Sequence, residues 1–83
     1  MNKTKLLTKL LSNSKNIRFS EATGCAESFG FKLSRINGSH NIYSHPQVVE
    51  LLNLQDVKGK AKDYQIKQLL EIIERYNLEM KED

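Results

Sequence analysis

The 83-residue chain has few of the residues that usually form disulfides, metal sites and cofactor sites. It contains one cysteine, two histidines, one proline and no tryptophan. The single thiol, Cys25, cannot form an internal disulfide, which favours a reduced, cytoplasmic setting. His40 and His45 do not combine with that distant cysteine into the paired ligands of a zinc site. We therefore expect no metal and no small-molecule cofactor.

Long hydrophobic runs, internal repeats, low-complexity tracts and nucleotide-binding glycine loops are also missing. Lys9 interrupts the leucine-bearing start of the chain and polar residues 12–16 follow it, so we expect neither a secretion signal nor a membrane partner. With 39% hydrophobic residues, a chain of this length buries a thin core and has no room for a separate substrate-binding domain. One small domain is the expected organisation.

The charge that is present is unevenly distributed. The net charge is +3, from 13 lysines and arginines against 10 acidic residues. The basic residues concentrate in residues 1–18, which contain no acid, and in the cluster of Lys58, Lys60 and Lys62. An excess of positive charge suits an anionic partner. We expect the two basic segments to flank one phosphate-binding surface.

Hydrophobic spacing predicts three helices. A short amphipathic helix over residues 4–11 carries a stripe of leucines, and this N-terminal segment (residues 1–16) packs on the domain, contacts a partner or stays partly disordered. A second helix starts with Ser20 as its N-cap and stops before Gly30, which is suited to a left-handed position. A third helix is capped by Asp63. Its predicted core face comprises Ile66, Leu69, Leu70, Ile73 and Tyr76.

Between the second and third helices, the pattern predicts three strands. A type I′ turn at Asn37-Gly38 joins strands over residues 31–36 and 39–44. Alternation places His40 on the open face of the sheet together with Ile36, and places Phe31, Leu33 and Tyr43 toward the helices. Leu52 and Leu54 predict a third strand after a short turn over residues 48–51, and residues 58–62 read as a flexible basic loop.

These elements predict an α+β fold. The order is α-β-β-β-α over residues 17–83, preceded by the short helix of residues 1–16. Helices gather on one face of a three-stranded antiparallel sheet, which leaves the other face to solvent or ligand. This arrangement resembles the double-stranded-RNA-binding fold.

Several residues of the predicted hairpin resemble a known family. They are Gly30-Phe31 after a helix, Arg35 in the next strand, the Gly38-Ser39-His40 triplet, the aromatic Tyr43 and the His45-Pro46 ending. Together with the basic segment and the final helix, they resemble the HicA family of toxins from bacterial toxin-antitoxin systems over residues 17–78. The chain differs from the usual pattern in its basic N-terminal segment, in the small residues of its first family helix and in a longer link after Pro46.

The resemblance implies a function and a set of site residues. HicA toxins are endoribonucleases that cleave messenger RNA without a metal, and a HicB-type antitoxin protein neutralises them. Their catalytic histidine corresponds to His40, which would act as general acid or base. The candidate RNA-binding residues are Arg35, Ser39, Lys58, Lys60 and Lys62.

Other interpretations stay open at this point. His40 is alternatively a surface residue that caps the Asn37-Gly38 turn, and the basic residues an ordinary solvated face. The chain as a whole is alternatively a non-catalytic RNA-binding module, or a decayed family member that binds only a protein partner. His45 is interpreted as a strand-end residue, Tyr43 as core and Cys25 as an inert buried thiol.

Overall fold

The structure, a computed structural model, describes residues 3–81. Its elements are α1 (Lys3–Ser12), α2 (Phe19–Ser28), β1 (Lys32–Asn37), β2 (His40–His45), β3 (Val48–Gln55) and α3 (Asp63–Arg75). This confirms the predicted α+β class and element order, including the additional N-terminal helix. Met1, Asn2, Glu82 and Asp83, the outermost residues of the predicted segments 1–16 and 17–83, lie outside the described residues. Within residues 3–81, no helix is long and apolar enough to cross a membrane.

The sheet is antiparallel with the strand order β1-β2-β3, and its core face is formed mainly by β2 and β3. Tyr43 of β2 lies opposite Leu52 of β3, and both are buried together with Leu54. These side chains share one core with Ile66 and Leu69 of α3. The prediction that Tyr43 belongs to the core is confirmed, and the sheet face opposite to it, which we call the open face, is not covered by α3.

The leucine-bearing helix α1 packs on the rest of the fold. Leu10 is fully buried in the common core, whereas Leu11 is 65% exposed. The Lys9 ammonium lies 2.7 Å from the Glu21 carboxylate of α2. This contact with Lys9 is the main reason that the pKa of Glu21 lies below its usual value, and the hydrogen bond from the Arg18 backbone amide is the second. The contact therefore ties α1 to the start of α2.

Helix α2 starts earlier than the sequence predicts. It begins at Phe19 with Arg18 as its N-cap, so the prediction of Ser20 as N-cap is wrong. The reason is Glu21, whose carboxylate accepts the backbone N–H of Arg18 at 2.9 Å and so moves the N-cap two residues earlier. The other end is as predicted, because Gly30 follows the helix with φ +98°.

The turn between β1 and β2 also differs from its prediction. Asn37 pairs with His40, so the central residues are Gly38 and Ser39 rather than Asn37 and Gly38. Gly38 has φ +63°, while Asn37 is the last residue of β1. A positive φ confined to the first central residue is the pattern of a type II′ turn, so the predicted type I′ turn at Asn37-Gly38 is wrong.

A bulge in β1 moves Ile36 to the other face of the sheet. The paired residues are Leu33 with Tyr43, Arg35 with Ile42, and Ile36 with Asn41. Ser34 is the extra residue, and it reverses the alternation beyond it. Ile36 therefore lies on the helix side instead of beside His40, which corrects the prediction. Ile36 is still 62% exposed and Leu33 47% exposed, and the other residues of β1 are exposed as well.

The link between β2 and β3 is a tight turn of two residues, Pro46 and Gln47. The turn predicted over residues 48–51 is wrong, because β3 already begins at Val48. Val48 lies opposite His45 and Leu52 lies opposite Tyr43, with a register shift between them. The residues after Pro46 that suggested a longer link therefore belong to β3, where they form a bulge.

Helix α3 begins at Asp63 as predicted, but Lys62 is the N-cap, and the Asp63 carboxylate accepts the Ser14 hydroxyl. Its buried residues are Gln65, Ile66, Leu69 and Ile72, with Leu70, Ile73 and Tyr76 partly buried. The core face therefore includes two residues that were not predicted, Ile72 and Gln65. The Gln65 side-chain oxygen accepts the backbone N–H of Gln55 at 2.7 Å.

The burial of the Cys25 thiol leads to a testable prediction about its reactivity. Cys25 is 1% exposed, and burial raises its pKa to about 11. Because the unfolded state ionises first, the contribution of this thiol to stability is complete below the ordinary thiol pKa and is lost as pH rises toward the folded value. At pH 8 we expect a disulfide reagent to react at least ~100-fold more slowly with the native chain than in urea. Equal rates in both conditions would contradict the buried placement.

Candidate functional site

His40 is the first residue of β2 and lies on the open face of the sheet, as predicted. Its ladder neighbours are Asn37 of β1 and Gln55 of β3. The side chain is partly exposed. A tight turn immediately precedes it, so a partner that approaches the end of the sheet can reach the imidazole without displacing the core.

Asn53 of β3 contacts the His40 ring directly. Its side-chain nitrogen lies 3.0 Å and its side-chain oxygen 3.2 Å from His40 Nδ1. Asn53 is opposite Ile42, which makes it a diagonal neighbour of His40 on the same face. Asn53 was not among the site residues predicted from the sequence. Its alternation with Leu52 and Leu54 indicated its face, but only the strand register shows which residue it meets.

The basic segment after β3 forms a tight turn rather than the predicted flexible loop. Val57 and Lys60 exchange backbone hydrogen bonds of 2.9 and 3.1 Å. Between them, Lys58 has φ +53° and Gly59 has φ +84°. Two consecutive positive φ values in a two-residue hairpin turn are the pattern of type I′. The type I′ turn of this chain is therefore at Lys58-Gly59.

One backbone hydrogen bond places this basic turn at the same end of the sheet as His40, and two more join the turn to the chain before α2. The Asp56 N–H donates to the Ser39 carbonyl at 3.1 Å. The Phe19 N–H donates to Gly59 and the Ala61 N–H donates to Ile17, both at 2.9 Å. The chain before α2 therefore runs beside the turn, and the two basic segments predicted from the sequence are adjacent.

Two of the cationic residues, Arg18 and Lys60, lie together, and a third, Arg35, lies on the open face of the sheet. Arg18 pairs with Lys60 in a β-bridge, and the Lys60 ammonium donates to the Asn16 side chain at 3.0 Å. Arg35 lies opposite Ile42, which places it on the open face. It is a diagonal neighbour of His40 across the two strands, and ladder geometry puts their Cα atoms ~7–8 Å apart.

Two further charges border this region. Lys62 belongs to the start of α3, where its ammonium lies 5.8 Å from the centroid of the Tyr64 ring. Asp56 contributes a carboxylate, which accepts the Gly59 N–H at 2.7 Å. The structure thus brings Arg35, Ser39, Lys58 and Lys60 to the His40 end of the sheet, adds Arg18, which the predicted set did not include, and directs Lys62 toward Tyr64.

His45 occupies the opposite end of β2 and has a structural role. Its Nε2–H donates to the Phe29 carbonyl at 2.9 Å, and its Nδ1 accepts the Gln47 N–H at 3.0 Å. The ring meets Phe31 edge-on, with centroids 5.1 Å apart. Both ring nitrogens are engaged by backbone groups, which agrees with the interpretation of His45 as a strand-end residue.

Within residues 3–81, no three histidine, cysteine, aspartate or glutamate side chains are grouped so that they could hold one metal ion. No protein-family model matches the chain, and comparison with curated proteins gives no significant match.

Proposed function

We propose that this chain is the toxin of a type II toxin-antitoxin system and acts in the cytoplasm as a metal-independent messenger-RNA endoribonuclease. The observation that best supports the proposal is the position of the Gly38-Ser39-His40 triplet. The imidazole of His40 is partly exposed, and the carbonyl of the preceding Ser39 accepts the N–H of Asp56, two residues before the basic turn at Lys58-Gly59. A HicB-type antitoxin that covers this end of the sheet is the protein partner that the proposal implies.

The chemistry needs one imidazole and nearby positive charge. The ribose 2′-oxygen attacks the adjacent phosphorus, the bond from phosphorus to the 5′-oxygen breaks, and the products carry a 2′,3′-cyclic phosphate and a 5′-hydroxyl. His40 accepts the proton of the 2′-hydroxyl or donates a proton to the leaving 5′-oxygen, and water exchanges the other proton. Arg35 and Lys58 supply positive charge for the phosphorane-like transition state.

Lys58 provides a test of the binding surface. Because a lysine that neutralises one phosphate releases counterions, Lys58→Gln should weaken RNA binding and reduce the slope of log K against log salt by ~0.7. Lys67→Gln is the matched control, since Lys67 lies on α3 in an ion pair of 3.4 Å with Asp63. Fluorescence anisotropy with single-stranded RNA at several salt concentrations measures both slopes. Equal slopes for the two variants would remove Lys58 from the surface.

The activity itself is tested with the purified full chain and a long single-stranded RNA in EDTA. We expect fragments that end in a 2′,3′-cyclic phosphate. Intact RNA that shifts on a gel at low salt would instead favour the second candidate, a non-catalytic RNA-binding module. The charges of Arg18, Lys58 and Lys60 at one end of the sheet also suit that function. Neither cleavage nor binding would favour a chain that binds only a protein partner.

A further inference from the structure

We infer that Asn53 is a positioning residue for His40: it engages Nδ1 of the imidazole and leaves Nε2 as the nitrogen that exchanges protons with a ligand on the open face. The role of Nε2 in RNA cleavage rests on the proposed function. The contact between Asn53 and Nδ1 does not, because it is a feature of the folded chain.

The contact joins two rigid positions. Asn53 lies between Leu52 and Leu54, which are fully buried, so the backbone that carries its side chain is held by the core. His40 is paired in the ladder on β2, the central strand. The amide group reaches Nδ1 at 3.0 Å through nitrogen and 3.2 Å through oxygen. A short side chain on one strand therefore fixes the ring on the next.

The chemistry of an amide fits this position better than a carboxylate or a hydrocarbon. For Nε2 to exchange protons with a ligand, Nδ1 must keep its own proton in both the neutral and the protonated ring. The Asn53 side-chain oxygen, 3.2 Å from Nδ1, accepts the hydrogen bond of Nδ1–H in both states. Asn53 thus remains bonded throughout a proton-transfer cycle at Nε2 and adds no charge.

Backbone contacts hold His45 of the same chain in one tautomer. Its Nδ1 accepts a backbone N–H from Gln47, a group that cannot become an acceptor. His45 therefore keeps its proton on Nε2, and its two nitrogen signals provide an internal reference for a measurement on His40.

The test is long-range ¹H–¹⁵N correlation NMR of the full chain at a pH where both rings are neutral. In the wild type, we expect the proton of neutral His40 on Nδ1, the opposite of His45. Asn53→Asp should keep it there, because a carboxylate also accepts from Nδ1–H, and Asn53→Leu should shift the ring toward the form protonated on Nε2. The His45 signals should stay unchanged in all three proteins. A His40 proton on Nε2 in the wild type, or an unchanged His40 pattern in Asn53→Leu, would overturn the inference.

A kinetic measurement separates this inference from the proposed function. If the wild type cleaves RNA, Asn53→Leu should lower kcat by about 10- to 100-fold with little change in KM, because binding groups remain while the ring loses its orientation. Unchanged kcat would overturn the positioning role and leave the ribonuclease proposal standing. If the wild type cleaves no RNA, the NMR result alone decides whether Asn53 orients His40.

Discussion

Replacing His40 with alanine should lower the rate of RNA cleavage by about 10²- to 10⁴-fold, the usual contribution of a general acid or base. The free energy of unfolding should change by less than ~1 kcal/mol, because the side chain is partly exposed on the open face and contributes no core contact. Cleavage is followed on a gel in EDTA, and unfolding by circular dichroism in urea. Cleavage by His40→Ala at the wild-type rate would remove His40 from the mechanism.

His45→Ala is the matched control, because it removes the other histidine of the same strand. This variant loses the bonds to the Phe29 carbonyl and the Gln47 amide, so we expect a loss of ~1–3 kcal/mol in unfolding free energy. The cleavage rate per folded molecule should be retained. Equal loss of cleavage in the two variants would indicate that His40 acts through the fold rather than through proton transfer.

Gly30→Ala should cause a loss of ~2–4 kcal/mol in unfolding free energy. Gly30 has φ +98°, where a side chain is strained. A Cβ there would also lie 2.9 Å from Nε2 of His45, the atom that donates to the Phe29 carbonyl. Domains of this size have a total stability of roughly 4–12 kcal/mol, so the loss is a large fraction of it.

Gly38→Ala separates the two causes of that loss. Gly38 also has a positive φ, +63°, but no atom lies within 4 Å of the Cβ that alanine would add. Only the backbone strain applies, so we expect Gly38→Ala to lower the unfolding free energy by ~1 kcal/mol. Urea unfolding of both variants measures the difference. Equal losses would mean that the close approach of Gly30 to His45 contributes nothing to stability.

The sequence predicted the element types because each depends on a local pattern. The spacing of Ile66 and Leu69 indicated a helix, and alternation around Tyr43 indicated a strand with one buried face. The turns and bulges were predicted less well. Asn37-Gly38 and Lys58-Gly59 both carry glycine at the second position, and the ladder decided that only the latter forms the type I′ turn.

The candidate site was predicted in part. His40 and its face followed from the triplet and from alternation, and Lys58 and Lys60 followed from charge clustering. Asn53 and Arg18 were not found, because their contacts depend on strand register and on a backbone bridge between distant segments. No local pattern marks an asparagine that meets a histidine on another strand.

The local sequence by itself determined the type and order of the helices and strands and which side of the sheet His40 occupies, because hydrophobic periodicity acts over neighbouring residues. Only the tertiary structure decided that Ile36 leaves the His40 face, that Asn53 engages Nδ1 and that the basic turn lies beside Ser39. The physical reason is that these outcomes depend on bulges and backbone hydrogen bonds, which form only when strands and loops distant in sequence meet.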